Sequence, residues 1–172
     1  MNFKLIPIAA AASLFLVPLV ADAKTLKFPK EKPQFSIAFP NDWKAEITDA
    51  GIISAQPKGA AYAISIFPVA SNNANDALEE TLKEVDKRFT DIKPGDPVDF
   101  RNENGIKFLE RDFTAKDKGD ARTLAIVAFS MDKQNYFALF QAGTPEADKK
   151  YTDSVIGIVK SITSLTKKND DD

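Results

Sequence analysis

The sequence predicts an α+β domain, a single antiparallel β-sheet flanked by helices on both faces. Three observations point there. Short apolar alternations recur between turn signals, two longer stretches switch to helical period, and the last strands are apolar on both sides. A strand apolar on both faces must be covered on both, and two amphipathic helices are available for it.

Residues 24–33 hold Pro29 and Pro33 among four lysines and read as an extended lead-in to a domain over 34–165. From Phe35 the pattern alternates, with Phe35, Ile37 and Phe39 on one side of a strand that Pro40 ends. Trp43 follows an Asn41-Asp42 turn. Lys44–Thr48, Gly51–Gln56 and Ala61–Val69 are then expected as strands, separated by Asp49-Ala50-Gly51 and Pro57-Lys58-Gly59. At Asn75 the period changes. Asp76 with Glu79 fits a capping box, and Leu78, Leu82, Val85 and Phe89 form one helical stripe. Pro94-Gly95 closes this unit.

Val98–Asn102 and Ile106–Ala115 flank Glu103-Asn104-Gly105, a hairpin signal. Lys118-Gly119-Asp120 turns the chain into Arg122–Met131, and Asp132-Lys133-Gln134 turns it into Tyr136–Ala142, an antiparallel meander. In these strands Leu124, Ile126 and Ala128 oppose Ala125, Val127 and Phe129, while Tyr136, Ala138 and Phe140 oppose Phe137 and Leu139. Thr144 is expected to cap a second helix with Pro145 in its first position and a stripe of Tyr151, Val155, Ile158, Val159 and Ile162.

Residues 1–23 read as a secretory signal peptide. Lys4 precedes an apolar stretch from Leu5 to Ala21, and Ala21-Asp22-Ala23 offers small residues for cleavage. The alternative is a retained anchor, but 17 residues between Lys4 and Asp22, Pro7 and Pro18 among them, fall short of the roughly 20 that span a bilayer. No cysteine follows for a lipoprotein anchor. A periplasmic or secreted protein with no membrane span after cleavage is expected. Removing 23 of 172 residues leaves 149, the size of one domain.

The chain has no cysteine and no histidine. Ser-His-Asp and Cys-His nucleophiles, imidazole or thiolate metal sites and disulfides are thereby excluded. A net charge of −2 with acids interleaved among lysines argues against nucleic acid as a partner. The polar acidic tail over 166–172 ends in Asp170-Asp171-Asp172, which would attract calcium only weakly because an unconstrained tail bears its own ordering entropy. No cofactor or metal is expected.

The run Phe35-Ser36-Ile37-Ala38-Phe39-Pro40-Asn41-Asp42-Trp43 resembles the opening of the PsbP-like superfamily, which includes DcrB-related bacterial exported proteins. The likeness extends over residues 34–163, through meander, helix, meander and helix. It implies a PsbP-like α/β/α sandwich and a binding or accessory role, because relatives mostly act by docking to partners. The missing cysteine departs from lipid-anchored relatives. The resemblance carries no site residue over.

Among the candidate residues, Trp43 is either a partner-facing anchor or core packing beside the first strand. Glu110 and Asp112, two apart on one strand, share a face with Phe108. Such a pair could serve glycoside hydrolysis at roughly 5–5.5 Å or 6.5–9.5 Å separation. The simpler account is a strand running out into solvent, with Arg122 as a cross-strand partner. Ser36, Ser54, Ser65 and Ser130 sit in strands without a nucleophile elbow. Ala61, Ala63 and Ser65 form a small-residue face that admits a helix closely or floors a groove for peptide or lipid. No catalytic, cofactor or metal residue is assigned. The expected function is that of an exported, non-catalytic accessory protein of the bacterial envelope that docks to a protein or envelope component. A small-ligand carrier and a carboxylate hydrolase are the alternatives.

Overall fold

The computed structural model of the chain describes residues 23–166. Most of the expected signal peptide and the acidic end of the tail lie outside these residues. In chain order the elements are β1 (Lys24–Phe28), β2 (Phe35–Phe39), β3 (Trp43–Ile47), β4 (Ile53–Pro57), β5 (Tyr62–Val69), α1 (Ala74–Val85), β6 (Thr90–Pro94), β7 (Val98–Arg101), β8 (Lys107–Asp117), β9 (Asp120–Ser130), β10 (Tyr136–Gly143), α2 (Pro145–Ser161) and β11 (Thr163–Ser164). Among the described residues no helix is long and apolar enough to cross a membrane.

The expectation of a single sheet is corrected, because the strands divide between two. Strands β1-β2-β11 form one, and β3-β4-β5-β10-β9-β8-β6 the other, with β7 also paired to β8. The reason sits at Pro40. Without an N–H it cannot extend the β2 ladder, and the turn that Trp43 N closes on Pro40 O (3.0 Å) delivers the chain into the larger sheet. The stretch expected as a lead-in is extended, but it is also a paired strand. Lys24 to Phe28 run in register with Phe39 to Phe35. Phe28 is buried against Phe35 and Phe137, with ring centroids 5.6 and 6.0 Å away.

In the larger sheet all pairings are antiparallel, and β5 meets β10 at its centre, joining two meanders far apart in sequence. Strand β6 is absent from the sequence expectation because Thr90–Pro94 shows no apolar alternation. It is an irregular edge with a register shift between Thr90 and Lys93 and a positive φ of 53° at Asp91.

The expected cap of α2 stands, since Thr144 Oγ1 accepts from Ala147 N at 3.2 Å. That of α1 moves one turn back. Asn73, not Asp76, is the N-cap: Asp76 N donates to Asn73 Oδ1 (2.9 Å) and Asn73 Nδ2 donates to Asp76 Oδ2 (2.8 Å). An asparagine with extended backbone can accept that bond, whereas Asp76 already lies within the first helical turn.

The larger sheet is apolar on both faces, as its sequence requires. Leu124, Ile126 and Ala128 of β9 pack with Leu109, Phe113 and the α1 residues Ala77, Leu78 and Val85. On the other side Val127, Phe129, Phe137 and Leu139 meet Phe28, Phe35 and Phe39 together with Ile158 and Val159 of α2. A helix as the sole cover of each face is therefore corrected too. The second face is roofed by the small sheet with α2 beside it. Three buried phenylalanines fill more of that space than the narrow inward stripe of α2 can.

Candidate functional site

Cross-strand register builds a site along one margin of α2. Paired residues share a face, so Asp112, Ala125, Gln141 and Ile64 form one row across four strands, and Glu110, Val127, Leu139 and Ile66 the next. Glu110 and Asp112 thus project together, as their spacing predicts. Their face also belongs to α2, because Val127 and Leu139 share a core with Ile158.

The turn joining β7 to β8 anchors the far end of this helix. Asn102 Nδ2 donates to Ile162 O (2.9 Å), and Asn104 Nδ2 donates to Lys160 O (3.2 Å) and Ile162 O (2.9 Å). These amides satisfy helix-end carbonyls that would otherwise lack partners. On the opposite flank of α2, Ser161 Oγ accepts from Ala38 N of β2 at 2.8 Å. Helical periodicity puts Asp148, Thr152 and Val159 on one side of α2, and Asp148 there lies within the field of Asp112 on β8.

Tyr62 completes the site. It pairs with Gly143, where a Cβ would collide with the Tyr62 ring, so the phenol lies across β10 toward β9 and β8. Trp43 and Tyr151 hold the ring at centroid distances of 6.1 and 5.6 Å. Burial raises the Tyr62 pKa most, and the charges of Asp148, Asp112 and Glu110 add to the rise. The hydroxyl therefore lies within the field of all three carboxylates.

Each of those carboxylates is itself shifted upward. Burial is the main cause for Glu110, with Asp112 adding to it. Burial raises Asp112, and burial followed by the Asp112 charge raises Asp148. Among the described residues none of the three joins an ion pair or a side-chain hydrogen bond. Lys116, further along the same strand face, is held by Asp91 at 2.8 Å. The expected partner Arg122 is corrected: it stands opposite Ala115 and reaches Asp117 and Asp120 instead. A side chain one position out of parity points to the other face.

Two buried polar atoms lack hydrogen-bond partners here, the hydroxyl of Tyr62 (3% exposed) and Oε1 of Gln141 (8% exposed). Among the described residues no cation pairs with the three carboxylates, the nearest aromatic contact of a lysine being Lys150 over Tyr151, so the site suits a positively charged donor from outside. Surface hollows of about 290 and 520 Å³ border the site, one against Ala61, Lys150 and Tyr151, the other against Ile92, Lys93 and Thr114. Neither takes in Glu110 or Asp112.

The remaining candidates fall into place around this site. Trp43 is 4% exposed and packs between aromatic rings, so it is core. Ala61 and Ala63 are exposed; Ala61 lines the 290 Å³ hollow with Ala147 and Tyr151 of α2, and its carbonyl accepts from Thr144 N at 3.3 Å. Ser54 faces Ser65 across β4–β5, Ser36 lies between Lys27 and Thr163, and Ser130 Oγ accepts from Lys133 N at 2.9 Å in a turn. Tyr62, Gln141 and Asp148 escaped sequence reasoning. The one usable signal was Gly143 ending a strand, a mark of close approach.

No family model matches the chain, and neither does any curated protein. Solved structures do. Cyanobacterial PsbP (CyanoP) from Synechocystis sp. PCC 6803 aligns with a TM-score of 0.61 at 9% identity, covering 92% of this chain and 99% of its own. LpqN of Mycobacterium tuberculosis, described as involved in cell envelope biogenesis, gives 0.59 at 14% identity over 85% and 93%. The Ran-binding protein Mog1p of Saccharomyces cerevisiae gives 0.56 at 6% identity over 84% and 96%. At such identities the likeness speaks for the fold, and the fold is PsbP-like.

Proposed function

We propose that this chain is an exported accessory protein of the bacterial envelope that works by docking to a protein or envelope component rather than by catalysis. The observation that carries this reading is the margin of α2, where three carboxylates without an ion-pair partner and two buried polar atoms without a hydrogen-bond partner lie together, with Glu110 and Asp112 outside the hollows that would enclose a small substrate. Support comes from the export pattern of residues 1–23 and from LpqN, a structural neighbour tied to envelope biogenesis. Mog1p, with the same fold, is a Ran-binding protein. The test is a photoreactive amino acid placed at Asp112, Thr152 or, as control, Lys87 in the turn after α1, followed by irradiation of intact producing cells. A discrete adduct at the first two positions and none at the control is expected. Adducts absent everywhere, or equal at all three, would sink the reading.

A carrier role has one observation in its favour, the 520 Å³ hollow between β6 and the β8–β9 strands. A thermal-shift panel of lipids and peptides separates it, because only a ligand selective for the folded chain raises the melting temperature.

A further inference from the structure

We infer that the furrow between β8 and α2 receives a lysine- or arginine-bearing segment of a protein partner, with apolar residues beside the basic ones. This rests on the docking reading above and names its chemistry.

The step from α2, which rests on β9 and β10, down to the next strand β8 makes a furrow with one end closed and one open. The hairpin asparagines bind the carbonyls of Lys160 and Ile162 at the closed end, while at the open end Asp148 of α2 and Asp112 of β8 stand within each other's field. The two elements therefore run in opposite chain directions, with acid at the open end. Its rims are apolar. Val98 pairs with Glu110 and is 55% exposed, and Ile156, four residues beyond Thr152 on the helix, is 47% exposed. Large apolar side chains left in water beside a buried polar group mark surfaces that other proteins cover.

Charge and hydrogen bonding define the occupant. The furrow presents the carboxylates and, buried behind them, the Gln141 carbonyl oxygen, an acceptor, and the Tyr62 hydroxyl, which can accept as well as donate. Leaving such atoms unpaired costs stability, and a ligand bringing several N–H donors removes that cost. Among the described residues no three acidic groups are arranged to hold one metal ion, so the carboxylates are too spread for a single small cation. Several ammonium or guanidinium heads carried by one segment span that spread, and their apolar stems and neighbours match Val98 and Ile156.

The closing experiment uses the signal-less full chain and four probes: a short peptide alternating lysine and leucine, its glutamate–leucine counterpart, spermine and calcium. Nuclear magnetic resonance shifts should centre on Val98, Glu110, Asp112 and Asp148 with the lysine peptide alone. Its affinity should fall about tenfold in the Glu110→Gln/Asp112→Asn double variant and several-fold in Tyr62→Phe, while Glu80→Gln/Glu84→Gln on α1, which removes equal charge, should change it less than about twofold. Circular dichroism of each variant confirms folding, and the wild-type shift map stands without any variant. Equal losses in both double variants, no loss in the furrow variant, equal binding of the glutamate peptide, or the same shifts from spermine or calcium would each overturn the inference. If photocrosslinking still yields a furrow adduct, the docking reading survives and only the basic chemistry falls.

Discussion

At Asp112 a carboxylate is held in a setting that resists its ionisation. Burial raises its pKa, and its charge in turn adds to the rise at Glu110 and Asp148. A carboxyl whose folded pKa is raised binds its proton more tightly in the folded than in the unfolded chain. Its contribution to stability is therefore greatest at low pH and is lost as pH rises from the ordinary aspartate value through the raised one. Asp112→Asn removes the penalty. The variant should match the wild type at low pH and exceed it by about 0.5 kcal/mol at neutral pH, a modest figure because Asp112 is exposed enough for water to screen it. Urea titrations at two pH values check this, and a variant less stable at neutral pH would show that Asp112 serves the fold. The pairing of Glu110 with Asp112 was legible in sequence because strand parity is a local property. The contribution of Asp148 was not, since nothing local tells a helix aspartate which strand it will overlie.

At the scale of elements, the β7–β8 hairpin and α2 work as one unit. Glu103-Asn104-Gly105 was readable as a turn, and Gly105 takes the positive φ of 77° that such a turn needs. Its second role was not readable. Asn102 and Asn104 cap carbonyls more than fifty residues away, a partnership that exists only once the sheet has placed the hairpin beside the helix end. Asn102→Ala takes one of two donors from Ile162 O and from Val159 O and leaves the buried Ile106 N–H without its side-chain acceptor, and should cost about 1–3 kcal/mol. It should also raise amide exchange in the last turn of α2 more than in its first. Uniform exchange along the helix would mean that packing alone holds that end.

For the whole molecule, the deciding arrangement is the small sheet laid over the larger one. Phe35 joins them, with ring centroids 5.4 Å from Phe129 and 5.0 Å from Phe137. Phe35→Ala should cost about 3–5 kcal/mol, since it opens a cavity between two sheets that cannot both collapse into it. Truncating the chain to begin at Gln34 should destabilise it as well, because β1 brings Phe28 into the same core. Retention of the full melting temperature by the truncated chain would return residues 24–33 to the status of a lead-in.

By itself the sequence determined the class of the protein, the two-faced strands of the second meander, the cap of α2 and the missing imidazole and thiol chemistry. All of these follow from residue type and short-range period. Only tertiary structure decided that Phe35–Phe39 leaves for a second sheet, that β1 belongs to the core, and that Tyr62, Gln141 and Asp148 meet Glu110 and Asp112 beside α2. Those outcomes depend on which strands pair across long separations, and hydrophobic alternation states that a strand will be covered without stating by what.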